Sequence, residues 1–328
     1  MRKKIAINIT ANLIRLMTLL VGVSMIAFTL ISVSPVDPVQ AYVGAGVAVS
    51  PEQRENIGAF WGLNDSPTEQ FVSWSKAILK GDFGQSLIYR KPVISVIGER
   101  FKSSVVLMGM AWILAGIIGF FLGIIMGVWK GRWPDKIIKT ICLVLSSTPT
   151  FWIGLLFLMI FSIELGWFPI GLSVPAGMLN SEVTMLDRIY HMILPAITLS
   201  LTSFATVALH TREKTIKVLS SDYVLFAKAR GEKEISIIKN HGIRNIIVPA
   251  VTLQFASLSE LFGGSILVEQ VFSYPGLGQA AVQAGLRSDV PLLLGVTIFS
   301  ALFVFVGNSI ANIIYNLVDP KMRENSLK

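Results

Sequence analysis

Scarcity is the first signal in this chain of 328 residues: it has one cysteine, Cys142, three histidines and few charges. A lone cysteine excludes an internal disulfide and a cysteine-based metal cluster. His191, His210 and His241 fall on different loops or helix ends with no partner at ligand spacing, so no metal site and no cofactor are expected. Charged residues make up 15% of the chain and hydrophobic ones 53%, where a soluble domain carries roughly a quarter charged residues. There is no G-x-x-x-x-G-K-S/T, so the chain cannot cradle nucleotide phosphates by that route. G-x-S-x-G and H-E-x-x-H are missing as well, and the chain is not expected to be an enzyme.

What it has is apolar length. The mean hydropathy is +0.66, and a helix crosses the hydrocarbon core with about 20 apolar residues. Charge-free runs of that size occupy 16–36, 103–129, 140–163, 189–211 and 290–318; a sixth, 245–268, is interrupted only by Glu260. The predicted fold class is an all-α integral membrane protein with six transmembrane helices. Arg2, Lys3 and Lys4 precede the first run, so a cleaved signal peptide is the competing reading there. The run is longer than a usual signal core and no A-x-A site follows, which favours a retained span.

The net charge of +8 would suggest nucleic acid in a soluble protein. Here it sorts by loop. With the N-terminus inside, 19 of the 28 lysines and arginines fall on inside segments, and most of the rest lie in one long external segment, where the positive-inside rule weighs them less. Both ends are therefore predicted to be cytoplasmic, in a cell membrane, with the lipid bilayer as surroundings and no nucleic acid as partner. The expected organisation is a cytoplasmic N-terminus and first span (1–36), an external segment (37–102), a five-helix transmembrane domain (103–318) with a cytoplasmic polar loop at 212–247, and a cytoplasmic tail (319–328).

Several local signals sit on this frame. Ser50-Pro51-Glu52-Gln53 and Ser66-Pro67-Thr68-Glu69 each combine a serine cap, proline at the first helical position and Gln or Glu at the third. The second predicts a helix to Lys80 that stops at Gly81, with Phe71, Trp74 and Ile78 on one face. The external segment reads as a small cap on the outer face or as a surface for docking a delivery protein, and the two are compatible. Gly119, Gly123 and Gly127 recur every four residues, a pattern that lets membrane helices approach closely. Trp129-Lys130-Gly131-Arg132-Trp133 is a tight basic turn with interfacial tryptophans. Pro149 falls near the middle of the third run and should kink it. No internal inverted repeat is visible, which weighs against secondary transporters.

Glu260 is the one carboxylate inside a predicted span. An ionisable group there is a functional candidate because leaving it in lipid is expensive. Either it lines an aqueous substrate path or it pairs with a hydroxyl or amide of a neighbouring helix. A chain of such groups, expected of an ion-coupled transporter, is missing.

The polar stretch SSDYVLFAKARGEKEISIIKNHGIRNIIVP, beginning at Ser220 and ending at Pro249, interrupts this apolar chain. Asp222 is a good cap for a short helix over 223–230, and Gly231 a good stop. Tyr223, Ala227 and Gly231 stand four apart and share one face, two of them small enough to admit a close neighbour. A second helical piece, 234–241, is expected to end at Gly242 and to run through Asn245 into the next span at Pro249. One reading is an interfacial helix whose Lys228, Arg230, Lys233 and Lys239 sit among anionic headgroups.

The other reading comes from a resemblance. Tyr223-Val224, then Ala227-Lys228-Ala229-Arg230-Gly231, then His241, Arg244-Asn245 and Pro249 resemble the EAA loop of ABC importer permeases, in the form found in the dipeptide, oligopeptide and nickel group. Gly81-Asp82-Phe83-Gly84-Gln85-Ser86 with Pro92-Val93, Phe272-Ser273-Tyr274-Pro275-Gly276-Leu277-Gly278, and Asp319-Pro320-Lys321-Met322-Arg323 resemble further motifs of that group, in the same order. The resemblance covers nearly the whole chain. It implies the type I ABC importer permease fold, a second homologous permease subunit, two cytoplasmic ATP-binding subunits that hydrolyse ATP, and an external substrate-binding protein. It implies a coupling helix at this loop, with Ala227 and Gly231 as the close-contact face, Tyr223 and Ala229 as its flanks, and His241, Arg244 and Asn245 as anchors to the following span. Glu232 departs from the group, which usually has an apolar residue after the glycine, so the detail of the contact is open there. Peptides are the expected cargo, with nickel or a metal chelate as the alternative; an ion-coupled transporter working through Glu260 and an intramembrane enzyme are the remaining readings.

Overall fold

The computed structural model of the chain describes residues 2–33, 38–43, 49–60, 64–178 and 181–318. The C-terminal motif at 319–323, the tail, and the last residues of the first apolar run (34–36) lie outside them. Among the described residues the structure is helical apart from one isolated bridge, Gln85 to Pro92. In chain order the helices are α1 (Arg2–Ser32), α2 (Pro38–Val43), α3 (Pro51–Phe60), α4 (Pro67–Leu79), α5 (Val93–Val128), α6 (Trp133–Ser147), α7 (Thr150–Phe157), α8 (Met185–Leu219), α9 (Asp222–Ala229), α10 (Glu234–Ile237), α11 (Ile243–Ala256), α12 (Leu258–Val271), α13 (Leu277–Leu286) and α14 (Val290–Val318). Short π-helical turns follow α7 (Leu158–Glu164) and precede α11 (Ile238–Gly242).

Four helices, α1, α5, α8 and α14, are each long and apolar enough to cross a membrane unbroken. The other two expected spans are bent pairs, which bring the number to six when each pair is one span. The first breaks by 107° between α6 and α7. Thr148 takes extended backbone ahead of Pro149, which begins α7 without an N–H to donate. The expected kink is thus a full break. The second bends by 50° between α11 and α12, with neither proline nor glycine at the joint. There the Ser257 hydroxyl donates to the Gln254 carbonyl at 2.9 Å, while its amide still donates to Leu253 O at 3.0 Å. Nothing in the sequence pattern announces it.

The chain forms two compact units. One consists of the described residues through Ser104 together with Pro275–Phe305. In it both serine caps close as expected: the Ser50 and Gln53 side chains each accept from the other residue's backbone amide, and Ser66 and Glu69 do the same ahead of α4. Such a cap is worth about 1 kcal/mol. The chain leaves α4 through Gly81 at φ +83. The Gly-Asp-Phe-Gly-Gln-Ser motif is then a compact turn: Asp82 Oδ1 accepts from the Gly84 amide at 2.8 Å, and the Ser86 amide donates to Lys91 O at 2.9 Å. The turn delivers the Ser86 hydroxyl to Asp289, to which it donates at 2.6 Å. Both are fully buried. Phe101 meets Phe299 and Phe303 edge-on at 4.7 and 5.2 Å, joining α5 to α14.

The other unit consists of Val105–Tyr274 and the described residues from Val306 on. Its axis is α8, which packs against α6, α7, α11 and α12. A capping box starts α8: Thr184 Oγ1 accepts from the Asp187 amide, and Asp187 Oδ2 accepts from the Thr184 amide. Along α5 the glycine series fits against α8 as the spacing predicts. A Cβ on Gly119 would lie 2.8 Å from the Phe204 carbonyl, one on Gly123 would run into Thr211, and one on Gly127 into Thr215.

Candidate functional site

The polar loop is built around three buried apolar side chains. Val224 and Ala227 of α9 meet Ile237 of α10, and Val218 and Leu219 at the end of α8 pack over them. Two buried positions three residues apart leave the rest of α9 facing out.

The start of α9 departs from the sequence reading. Its cap is Ser221, with Asp222 as the first helical residue, and no side-chain cap bond forms; the Ser221 hydroxyl donates instead to Val218 O at 2.5 Å. The exit is as expected. Gly231 stands at φ +84, its amide donates to Lys228 O at 2.9 Å, and the Glu232 amide donates to Ala227 O at 3.2 Å. This pair of bonds is the Schellman closure that glycine favours. The second piece runs into the next span as expected, but without the stop at Gly242. That residue has φ −93, and the chain runs on through the π turn into α11 without a stop.

Tyr223, Glu232, His241 and Asn245 of the candidate set are held in local contacts, with Arg230 beside them. Asn245 Nδ2 donates to the Tyr223 hydroxyl at 3.0 Å, across 22 residues, and lies 3.4 Å from the His241 carbonyl. The His241 Nε2 stands 3.2 Å from Glu232 Oε2, and Arg230 reaches the other Glu232 oxygen at 3.9 Å. Glu232, the departure from the family pattern, thus has partners within the loop. The tyrosine–asparagine bond fastens α9 directly to α11, the first half of the next bent pair.

Two placements differ from the expected roles. Ala227 is 5% exposed and faces its own loop, so it cannot form the contact face assigned to it with Gly231. Ala229 is exposed, and beside it lie Leu225 and Phe226, 55% and 66% exposed. Nothing in the spacing of small residues points to these two large apolar side chains. Arg244 is exposed and has no hydrogen bond or ion pair among the described residues, so the network does not include it.

Glu260, in the first turn of α12, is also exposed, with no side-chain partner among the described residues. The pairing alternative for it is not realised. A second carboxylate, Glu269, is fully buried near the end of α12, one residue beyond the expected span. Its neighbour Tyr274 is 5% exposed, and its phenol is pushed up to about 12, first by burial and then by the Glu269 charge, with Arg188 pulling the other way. The phenol therefore stays protonated at any physiological pH. Nearby, His191 Nδ1 lies 2.9 Å from the Gly171 carbonyl, and the Leu172 amide donates to Phe272 O at 2.9 Å. Gly171 has no room for a Cβ against the Phe272 backbone.

The chain has relatives among known proteins. The family described as the binding-protein-dependent transport system inner membrane component matches residues 119–324. The chain is 34% identical over 305 residues to the oligopeptide transport system permease protein AppB of Bacillus subtilis, covering 93% of this chain and 95% of that one. It is 34% identical over 313 residues to the glutathione transport system permease protein GsiC of Escherichia coli K12, covering 95% and 97%. A putative peptide transport system permease protein of Brucella abortus is 33% identical over 302 residues, 92% of this chain and 94% of that one.

Proposed function

The chain belongs to the family of binding-protein-dependent transport system inner membrane components, multi-pass permease subunits of ABC importers, and from that premise we propose that its cargo is a peptide and that α9 is its coupling helix. The relatives named for oligopeptide, peptide and glutathione transport support the peptide reading. Di- and oligopeptides, delivered by an external binding protein, are the cargo class. A second homologous permease and two cytoplasmic ATP-binding subunits complete the transporter, and both termini of this chain lie on the cytoplasmic side.

One observation carries the coupling reading: a short helix with an apolar exposed face is bonded at its start to the membrane segment that follows it and closed at its exit by a fixed turn. Leu225, Phe226 and Ala229 face outward on α9. A large exposed apolar pair on a charged loop marks a contact surface. The Schellman closure fixes the exit of α9, and the Tyr223–Asn245 bond ties its start to α11. A push on α9 by an ATP-binding subunit then reaches α11 without being absorbed in a floppy loop. Ala227 serves as packing under the helix, and Gly231 as its turn.

The test is a crosslink. A cysteine at Ala229→Cys, in a Cys142→Ser background, is paired with one in the groove of the candidate ATP-binding subunit. Efficient crosslinking that changes with ATP supports the coupling helix. No crosslink, in membranes holding both chains, returns the loop to a helix lying among headgroups.

A further inference from the structure

The basic turn between α5 and α6 has no part in the coupling loop. Trp129, Lys130, Gly131, Arg132 and Trp133 form it, with Gly131 at φ +77. Beside it runs a groove of about 490 Å³ lined by Ile125, Trp129, Arg132, Trp133, Pro134, Ile137 and Ile138. Every lining side chain is apolar except one, a guanidinium.

The charge here is one-sided. Asp135 is the only carboxylate in 129–139, and both its oxygens are taken by Arg212, with the Gly131 amide also on Oδ2. Lys130, Arg132 and Lys136 are exposed, and none has an ion-pair partner among the described residues. The start of α6 has no side-chain cap, so its dipole also favours an anion there. Trp129 and Trp133 are 42% and 74% exposed, and exposed indoles at the end of a membrane helix belong at headgroup level.

We infer that this turn and groove bind one anionic phospholipid, its phosphate held by Arg132 and Lys136 and an acyl chain laid in the groove along Ile125 and Ile137. The groove lies between the apolar end of α5 and the first turns of α6, so the occupant that fits it is a hydrocarbon chain and not a soluble protein segment. The three exposed cations select against zwitterionic lipid. A soluble phosphate satisfies the cations but leaves the apolar groove empty.

Native mass spectrometry of the full chain in detergent, titrated with phosphatidylglycerol or phosphatidylcholine, tests this. The expected result is preferential retention of phosphatidylglycerol. Arg132→Gln and Lys136→Gln should each weaken it roughly fivefold, as a basic residue near an anionic surface implies, and leave phosphatidylcholine unchanged. Ile137→Trp, at an exposed position in the groove, should weaken phosphatidylglycerol without altering the thermal unfolding midpoint. Lys80→Gln, an exposed charge elsewhere, should change nothing. Equal retention of the two lipids, or indifference to Arg132→Gln and Lys136→Gln, overturns the inference. So does displacement of the lipid by inorganic phosphate with no effect of Ile137→Trp, which makes the turn a simple anion site. Loss of a co-purifying ATP-binding subunit in the charge variants, with lipid retention intact, overturns it in favour of a protein contact.

Discussion

Arg212 holds Asp135 with two hydrogen bonds, Nε to Oδ1 at 2.5 Å and an Nη to Oδ2 at 2.8 Å, joining residues 77 apart in sequence. The carboxylate is 2% exposed. The pair fastens the start of α6 to α8, the axis of its unit, at the point where the basic turn ends. A fork-to-carboxylate pair of this kind gives direction as well as energy.

Removing one partner strands the other. Asp135→Asn should lower stability by about 3 kcal/mol, the order expected when a buried pair is broken. Arg212→Gln should cost a similar amount, and the double variant should recover part of the loss because no lone charge remains. Thermal unfolding of the purified chain measures all three. Additive losses in the double variant would show that the two side chains act independently.

The glycine series gives a steric prediction with its own control. Gly127→Ala places a Cβ against Thr215 and should cost about 1–3 kcal/mol through overpacking. Combining it with Thr215→Gly should return most of that. Gly109→Ala, on the same helix with nothing within 4 Å of the new Cβ, should be neutral or gain up to about 1 kcal/mol in helix propensity. Equal losses at 109 and 127 would mean that close approach of α5 and α8 is not what the glycines provide.

Asp289 predicts a pH dependence. Its carboxyl accepts from the Ser86 hydroxyl and from the Ile88 and Leu292 amides. Burial pushes it above the ordinary value of 3.8, while those hydrogen bonds pull it down. Between the ordinary value and the raised one the folded chain binds more protons than the unfolded chain. Stability from this group is therefore present at low pH and lost as pH rises through the raised value. Unfolding midpoints from about pH 4 upward, at fixed salt, should show the wild type losing stability relative to Asp289→Asn. Ser86→Ala removes a bond to the charged form and should carry the loss to a higher pH. Parallel curves for wild type and Asp289→Asn would remove the carboxyl from the account.

These pairs also mark the boundary of what could be read from sequence. Contacts of short span were legible: both serine caps, the Gly231 exit and the Pro149 break depend on residues within four or five positions. The α5 glycines were legible because a period of four survives without knowing the partner helix. Asp135–Arg212 and Ser86–Asp289 were not, since neither partner is unusual in its own neighbourhood. Ala227 was misplaced for a related reason. A small residue fits a tight contact with another subunit or with its own chain, and only the position of Ile237 decides which. The α11–α12 bend was invisible because neither proline nor glycine marks the joint, and a mid-helix serine such as Ser257 is no signal of one.

Glu260 separates transport from stability. It is exposed and without a partner among the described residues, so Glu260→Gln should leave the unfolding midpoint unchanged. If the side chain lines the path, the variant should alter uptake rate or peptide preference in the assembled transporter. Wild-type kinetics across several peptides would take Glu260 out of the path.

Gly231 tests the lever itself. Its φ of +84 strains other residues, and a Cβ added there would meet nothing within 4 Å, so backbone geometry and not space decides the outcome. Asparagine tolerates this left-handed conformation, whereas a β-branched residue incurs about 1–2 kcal/mol of strain. Gly231→Asn should therefore keep most uptake, and Gly231→Val should lose it several-fold while the assembled transporter still hydrolyses ATP. Gly231→Trp, which adds bulk on the exposed side, should uncouple hydrolysis from uptake more completely. The order Asn, Val, Trp is the informative result. A turn that merely connects two helices would let all three variants transport alike, and undiminished uptake by Gly231→Trp would falsify the docking of α9 at this end.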